Sequence, residues 1–443
     1  MTDVRAILEE WSNQGVRWVR FELPDMHGLS RAKTVPLEHA GGYAERGLNM
    51  YGGATVLDTA DSVVTGTLYN EEVKYRDQFL HPDLGTAAIV PWVEHTGRFI
   101  CDTHWHDGTP LGAAPRHVFR RTLEKARSMG FEPVMGSEFE FYLLDAATRE
   151  PLFPDFHIFN PIRNDWVPTI RRIHDELPRI GVSIITSNCE YAPSQWEINF
   201  APGRALAGPD IAFTFKNGVK EIAKQDGLIA SFMSKPFWGS SGSGCHTHMS
   251  LVRIEDGENA LGDADDPQGI SEICRRFIGG IVRYAKVIDP LVLPTVNCYR
   301  RRRPHTFSPT TISWGLEDRT ALVRVKGFGP VESRHVEYRA PSALSNPYLV
   351  GAAMLAAGLR GIEEKIDPGP PSKPDSVAEG DPDFELLPTS LPEAMEAFES
   401  DPASREFFGE EFVTAYSVMR RHELSRFDDW VTDWERNEYL EFF

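Results

Sequence analysis

Two glutamates, Glu138 and Glu140, sit two positions apart in the apolar run MGSEFEFYLLD at residues 135–145. A strand turns side chains i and i+2 to one face, so both carboxylates converge against apolar surroundings. Burying unpaired charge is costly, and the pair therefore requires a partner such as a cation. The same guise recurs along the chain. Glu190 precedes a turn and Glu197 lies inside an apolar alternation in NCEYAPSQWEINF, Glu337 alternates with His335 and Arg339 in ESRHVEYRAPS, and GSSGSGCHTHMSL puts His246 and His248 at i, i+2. Taken singly, each glutamate is more simply read as an exposed strand-edge charge or an arginine's partner. Taken together, five glutamates with one or two histidines form an oxygen-rich set that suits Mg2+ or Mn2+ better than zinc. Six such side chains fill two sites of three ligands each, leaving positions open for water and substrate phosphate.

A second cluster is cationic. Arg300, Arg301, Arg302, Arg303, Arg319, Arg324, Arg334 and Arg339 crowd into forty residues of a chain whose net charge is -19. Alone, RRRR reads as a nucleic-acid patch or a solvated face. Spread over several strand-like pieces of an acidic chain, the arginines form a pocket for phosphates or carboxylates. The overall charge argues against general affinity for nucleic acid or anionic membrane. GSSGSG at 239–244 reads as a plain loop or as one that lets backbone amides approach an anion, and it lacks the GK[ST] of a P-loop.

These residues need a scaffold. At 443 residues, 41% hydrophobic and 25% charged, the chain has the composition of a soluble globular protein of two or more domains. Val4, Ile7, Leu8 and Trp11 predict a first helix rather than a secretory segment, and GVRWVRFEL with SRAKTVP predicts a hairpin. The Gly/Pro stretch 106–117 marks a boundary near residue 112, giving a small N-terminal domain (1–112) and a larger one (113–443). In the latter, hairpin-like strands alternate with helices, which predicts an α+β domain built on an antiparallel sheet. YLVGAAMLAAGL at 348–359 is too short for a membrane span and reads as a buried helix. The acidic, proline-rich segment 366–383 reads as an exposed loop. Five scattered cysteines, none spaced as CxxC, place the chain in a reducing cytoplasm.

GSEFEF, NCEYAPSQWEI, KPFWGSSGSGCHTHMSL, NCYRRRRP, DRTALVRV and VEYRAPSALSNPYL, in this order, resemble the motifs of the glutamine synthetase family along nearly the whole chain. The resemblance implies a β-grasp-like N-terminal domain and an antiparallel-sheet catalytic domain, in a cytoplasmic dodecamer of two stacked hexameric rings. It implies one cation held by Glu140, Glu190 and Glu197 and another by Glu138, His246 and Glu337. It makes Arg319 and Arg301 catalytic, with Arg319, Arg324, His248, Ser250 and His335 around ATP. Arg301 and Arg339 would grip the carboxylates of glutamate beside Gly242, Glu140 and His246. The implied chemistry is ATP-dependent, with two Mg2+ or Mn2+ ions: the γ-carboxylate attacks ATP to give γ-glutamyl phosphate, and an amine displaces phosphate.

The departures from the family pattern bear on that amine. Ammonia-using members carry a loop like FDGSS, whose aspartate binds ammonium, and a flap like YEAP, which supplies a second carboxylate. Here YGGAT places Gly52 and TFSP places Phe307 at those positions. An ammonium ion lacking counter-charges is desolvated with nothing to offset the cost. An apolar substituent gains about 0.8 kcal/mol per buried CH2 instead. The expected activity is therefore γ-glutamylamide synthesis with a bulky alkyl or aryl amine. Asp58 or Asp61 could replace the lost base, or both are simply turn residues. Further departures are Ser241 for an asparagine at the glutamate site, His335 for an arginine, Asn188 and Cys189 for a histidine pair, and Phe384 where some bacterial members have a modified tyrosine. Ordinary glutamine synthesis and a catalytically silent relative are the alternatives, and the survival of all six metal ligands weighs against silence.

Overall fold

The computed structural model describes residues 3–155, 158–327, 329–373 and 381–443. The first helix, Val4–Asn13, starts where Asp3 accepts the Arg5 N–H, and it buries Ile7 and Trp11. Six strands follow: β1 (Trp18–Pro24), β2 (Ser30–Pro36), β3 (Leu48–Tyr51), β4 (Asp77–Pro82), β5 (Ala88–Ile89) and β6 (Thr96–His104). They form one sheet in the order β2-β1-β6-β4-β3, with β5 on β6. Its central β1–β6 pair is parallel and its flanking pairs antiparallel, the grasp-like arrangement expected of this region.

The second sheet holds nine strands: β7 (Phe131–Asp145), β8 (Ile184–Cys189), β9 (Gln195–Phe200), β10 (Gly203–Arg204), β11 (Leu228–Ser231), β12 (Cys245–Arg253), β13 (Trp314–Leu316), β14 (Val323–Lys326) and β15 (His335–Tyr338). The order is β13-β14-β15-β12-β7-β9-β8, with β10 and β11 also on β7. Every pairing is antiparallel except β13–β14. Period-two alternation sends Phe139, Phe141, Trp196, Ile198, Cys245, Met249 and Val336 into the core. The polar partners of that alternation are thereby forced onto the other face.

The apolar run at 348–359 lies within a helix, Pro347–Glu364, buried on nearly every side. It packs against the helix Glu272–Arg283 so closely that a Cβ at Gly280 would stand 2.0 Å from the Ala357 carbonyl oxygen. No helix among the described residues is long and apolar enough to cross a membrane. All five cysteines are buried and unbridged. Residues 374–380 of the predicted exposed loop lie outside the described residues, and the flanks 366–373 and 381–383 carry neither helix nor strand.

Arg116, 2% exposed, ties the two layers together. Its guanidinium donates to Asp210 on the helix Ala207–Gln225 (2.9 and 3.0 Å), and to Asp102 (2.6 Å) and Asp83 (2.7 Å) beside the N-terminal sheet. Charge-assisted bonds on this many sides are what allow a guanidinium to be buried.

Candidate active site

The register of β7 with its neighbours assembles the predicted acids into lateral rows. Glu138 stands between Asn199 on β9 and His246 on β12, and Glu140 faces Glu197 on β9, with Asn188 on β8 beyond it. His248 stands opposite Glu337 on β15, which in turn faces Arg324 on β14. Segments two hundred residues apart thus meet on one sheet face.

Glu138 is central. Its two oxygens lie 3.0 Å from His248 Nε2 and 3.7 Å from His246 Nδ1, and His246 Nδ1 is also 3.6 Å from Glu337. Ligand atoms of Glu138, Glu197 and His246 come within 4.8 Å of one another, as do those of Glu138, His248 and Glu337. The predicted set of Glu138, His246 and Glu337 is therefore together, joined by Glu197 and His248. The predicted set of Glu140, Glu190 and Glu197 is looser. The Glu140 carboxylate is turned to the Gly244 amide (2.9 Å) and Gln195 Nε2 (3.4 Å), while Asn188 donates to Glu190 (2.9 Å). These donors are backbone and amide groups that a pattern of carboxylates does not disclose.

The acids do not share one electrostatic fate. Burial and the neighbouring carboxylates push Glu197 up to about 8, and burial with Glu140 pushes Glu190 up to about 7. Burial also acts against the ionised forms of Glu138 and Glu337. There the histidines, and Arg339 for Glu337, outweigh it, holding Glu138 far below the usual range and Glu337 at about 2. Buried acids crowded enough to retain protons at neutral pH, beside oxygen and imidazole donors, fit a site for a hard divalent cation.

A pH prediction follows from the signs. Carboxyls raised to about 7 and about 8 keep protons in the fold that the unfolded chain releases above the ordinary carboxylate range, so they oppose stability as pH climbs through that window. A cation that displaces these protons reverses the penalty. A divalent cation bound among these acids, tested with Mg2+, should therefore raise Tm by an amount that grows from about pH 5 to about pH 8, with protons released on binding near pH 6.5 and few above about pH 9. Calorimetry in two buffers of different ionisation heat measures that release.

The arginines are placed more specifically than the sequence implied. Arg324 bridges Glu337 (3.0 Å) and Glu317 (2.7 Å), and Arg339 donates to the other Glu337 oxygen and to the Arg319 carbonyl (2.9 Å). Glu337 is thus clamped from both sides. Arg301 is 5% exposed and donates to the Ala340 carbonyl (3.1 Å). Gly244 makes room for it, since a Cβ there would stand 2.5 Å from its guanidinium. Arg319 is exposed at the rim, where its charge acts on Glu190. Arg302 is turned away into the core, paired with Asp289 at 2.5 and 2.9 Å, so the RRRR run is divided between site and scaffold.

Beside Glu138 opens a cavity of about 540 Å3 bordered by His248, Ser250, His335, Lys326, Ile185 and Phe200. The His248 and His335 rings meet edge to face, with centroids 5.1 Å apart, and His335 is further fixed by the Ser333 carbonyl (2.7 Å).

Residues 112–439 match the family described as glutamine synthetase, catalytic domain. The chain belongs to the glutamine synthetase family. It is 34% identical to a glutamine synthetase of Thermotoga maritima over 99% of this chain and 98% of that one. It is 32% identical to a glutamate–isopropylamine ligase of a Pseudomonas species over 99% and 97%. A solved structure described as a GmaS/ADP complex superposes with a TM-score of 0.87 at 30% identity, covering 100% of both chains. The protein is an ATP-dependent carbon–nitrogen ligase, of a family that uses ATP and divalent metals.

Set against this glutamine synthetase framework, the two altered positions are in different places. Phe307 is 55% exposed, adopts a left-handed φ of 55°, and lies nearly parallel to Tyr191 at 6.4 Å. Tyr191 directly follows Glu190, so the aromatic pair adjoins the segment that carries that acid. Gly52 lies in the N-terminal layer against Trp105 and the Arg76 carbonyl oxygen. Asp58 and Asp61 are turn residues, the simpler of their two readings. Asp58 accepts from the Ala60 and Ser62 amides (2.8 Å each) and Arg426 (2.6 Å), and Asp61 pairs with Arg31. Both Asp58 oxygens are committed, while Asp61 is exposed and holds Arg31 through one oxygen.

Sequence reasoning missed two features of this glutamine synthetase site. Gln195, 1% exposed, donates to the Gly242 carbonyl (3.0 Å) and Ser243 Oγ (3.1 Å) as well as Glu140, tying the glycine-rich loop to the sheet. Its position two residues before Glu197 was the available signal. Phe159, 69% exposed with φ 56°, donates its N–H to the carbonyl of Cys189, the residue before Glu190. An isolated phenylalanine in an irregular segment carries no such signal.

Proposed function

We propose that this ligase joins the γ-carboxylate of glutamate to an aryl or bulky alkyl amine. The observation that supports this reading is the Phe307–Tyr191 pair, exposed aromatic surface next in the chain to Glu190, at a position where the pattern of ammonia-using family members has a carboxylate. In this reading Arg301 and Arg339 orient glutamate near Gly242, while Arg319 and Arg324 face the phosphates of ATP bound along His248, Ser250 and His335. Glu138, Glu140, Glu190, Glu197, His246 and Glu337 hold two Mg2+ or Mn2+ ions, which supply charge neutralisation of the phosphates. Transfer of this kind rests on positioning and electrostatics.

Amine basicity refines the acceptor class. An alkylamine with a pKa near 10.4 reaches its neutral form at pH 7 at a cost of roughly 4 to 5 kcal/mol. An arylamine is already neutral and needs no base. The wall of the acceptor site is aromatic rather than acidic, which suits the neutral nucleophile.

The test is phosphate release with ATP, Mg2+ and glutamate across ammonia, small alkylamines, ethanolamine, polyamines and arylamines. An aryl or bulky alkyl amine should give the highest kcat/KM. Fastest turnover with ammonia would overturn the assignment. We also propose the stacked-ring dodecamer, because Gly52 lies in the N-terminal layer and reaches an acceptor site most simply as part of a neighbouring subunit. Native mass measurement checks that assembly.

A further inference from the structure

A separate cavity of about 370 Å3 lies between the N-terminal loop at Met26–Leu29, strand β11 with the residues that follow it, and the helices Ala207–Gln225 and Glu410–Asp428. Its wall is mostly apolar, with Phe232, Met233 and Leu349 among the lining residues. Three cationic side chains also line it: Lys216, Lys220 and Arg420. No aspartate or glutamate lines it among the described residues. In a chain of net charge -19 this is an inversion of the local balance.

The cations are unevenly satisfied. Lys216, 3% exposed, donates to the Leu344 (2.5 Å) and Ser345 (3.1 Å) carbonyls, two of the three bonds an ammonium can make. Arg420, 1% exposed, reaches the Pro294 carbonyl (2.7 Å), Glu423 (2.6 Å) and His27 Nδ1 (3.3 Å), while its buried Nε has no hydrogen-bond partner. Lys220 is half-buried, and the carboxylate whose field reaches both lysines is that of Asp25. That group is already committed to Arg31 (2.8 Å) and to the His27 and Leu29 amides (2.9 Å each). Burial and the charge of Lys220 lower Lys216 to about 7, which expresses the same lack of a counter-charge. His27, also on the lining, is held neutral by burial and by Arg420.

A small apolar chamber with surplus ammonium donors and one unpaired guanidinium N–H has the build of a site for an amphipathic anion. We infer that this cavity binds a small monocarboxylate with an aryl or branched-alkyl body, its carboxylate at Lys220 and its body against Phe232 and Leu349. The site is distinct from the acidic cleft yet adjoins its supports. Phe232 and Met233 run into Ser234, whose carbonyl accepts the Ser243 N–H (2.8 Å), and Leu344 follows Ala343, whose N–H donates to Ser243 (3.2 Å). Ser243 precedes Gly244, whose amide holds Glu140.

Benzoate is a suitable probe for titration calorimetry on the full chain saturated with ADP, Mg2+ and glutamate. The expected result is saturable binding of one benzoate per chain. Lys220→Met should weaken it at least tenfold while leaving ligase turnover unchanged, Lys220→Arg should retain it, and neutral benzyl alcohol should bind at least tenfold more weakly. Absence of saturable binding, displacement by glutamate, undiminished affinity in Lys220→Met, or equal affinity for benzyl alcohol would each overturn the inference.

Discussion

Glu138→Gln lowers kcat by about three orders of magnitude and removes the Mg2+-dependent rise in Tm, if the acidic cluster holds the cations as proposed. Glu138 is the one side chain shared by both groups of converging ligand atoms. Its carboxylate also carries the charge that His246 and His248 are arranged around, at 3.7 and 3.0 Å. The amide keeps the shape and one acceptor oxygen, so the fold is spared while the anionic ligand is lost. Losing a ligand of that kind forfeits several kcal/mol of stabilisation of the phosphoryl-transfer step, and about 4 kcal/mol corresponds to about a thousandfold. Glu132→Gln is the matched control. It lies on the same strand, pairs with Arg127 (2.6 Å) and Arg204 well away from the cluster, and should leave turnover within twofold, roughly the effect of a surface ion pair. Turnover of Glu138→Gln within tenfold of the parent, with Mg2+ stabilisation intact, would refute the ligand assignment.

The parts of this site legible in the sequence are those set by a single strand. Alternation in FEFYLL, CHTHMSL and HVEYR shows which residues share a face, because period two is a local property of the backbone. What a strand cannot show is which residue of a distant strand it will face. The placing of Glu197 opposite Glu140, and of His248 opposite Glu337, depends on register between segments that meet only in the folded sheet. The clamp of Arg324 and Arg339 on Glu337 and the support of Glu140 by Gly244 and Gln195 follow from that register, which is why both escaped a motif-based reading. RRRR shows the converse limit. Four identical neighbours look equivalent in sequence, yet Arg301 lies beside the Gly244 backbone and Arg302 is locked to Asp289 in the core. The short helix Cys298–Arg301 ends between them, and the extended backbone at Arg302 sends its side chain a different way, so a run of charge divides its duties.

Phe307→Glu should move acceptor preference toward ammonia by about two orders of magnitude in the ratio of kcat/KM values. Part of the change is loss: an aryl acceptor stacked on the Phe307 ring forfeits an aromatic contact worth about 0.5–1.5 kcal/mol beyond its area. Part is gain: a carboxylate at position 307, beside Tyr191, supplies a counter-charge for ammonium, where one ion pair in a partly desolvated site is worth about 1–2 kcal/mol. The two together approach the 2.7 kcal/mol or so that separates a hundredfold ratio. Adding Gly52→Asp, the other apparent restoration, does not sharpen the experiment. A Cβ at Gly52 would lie 2.8 Å from the Arg76 carbonyl oxygen and 3.0 Å from the Trp105 ring, so that substitution disturbs the N-terminal layer itself. The single change carries no such penalty, because Phe and Glu face the same left-handed backbone at φ 55°. Phe307→Leu separates charge from shape: an apolar side chain without a ring should weaken arylamine use modestly, by about threefold to tenfold, without favouring ammonia. An unchanged ammonia-to-arylamine ratio in Phe307→Glu would mean that this aromatic wall does not contact the acceptor, and the nitrogen donor would then have to approach the acyl phosphate from another side.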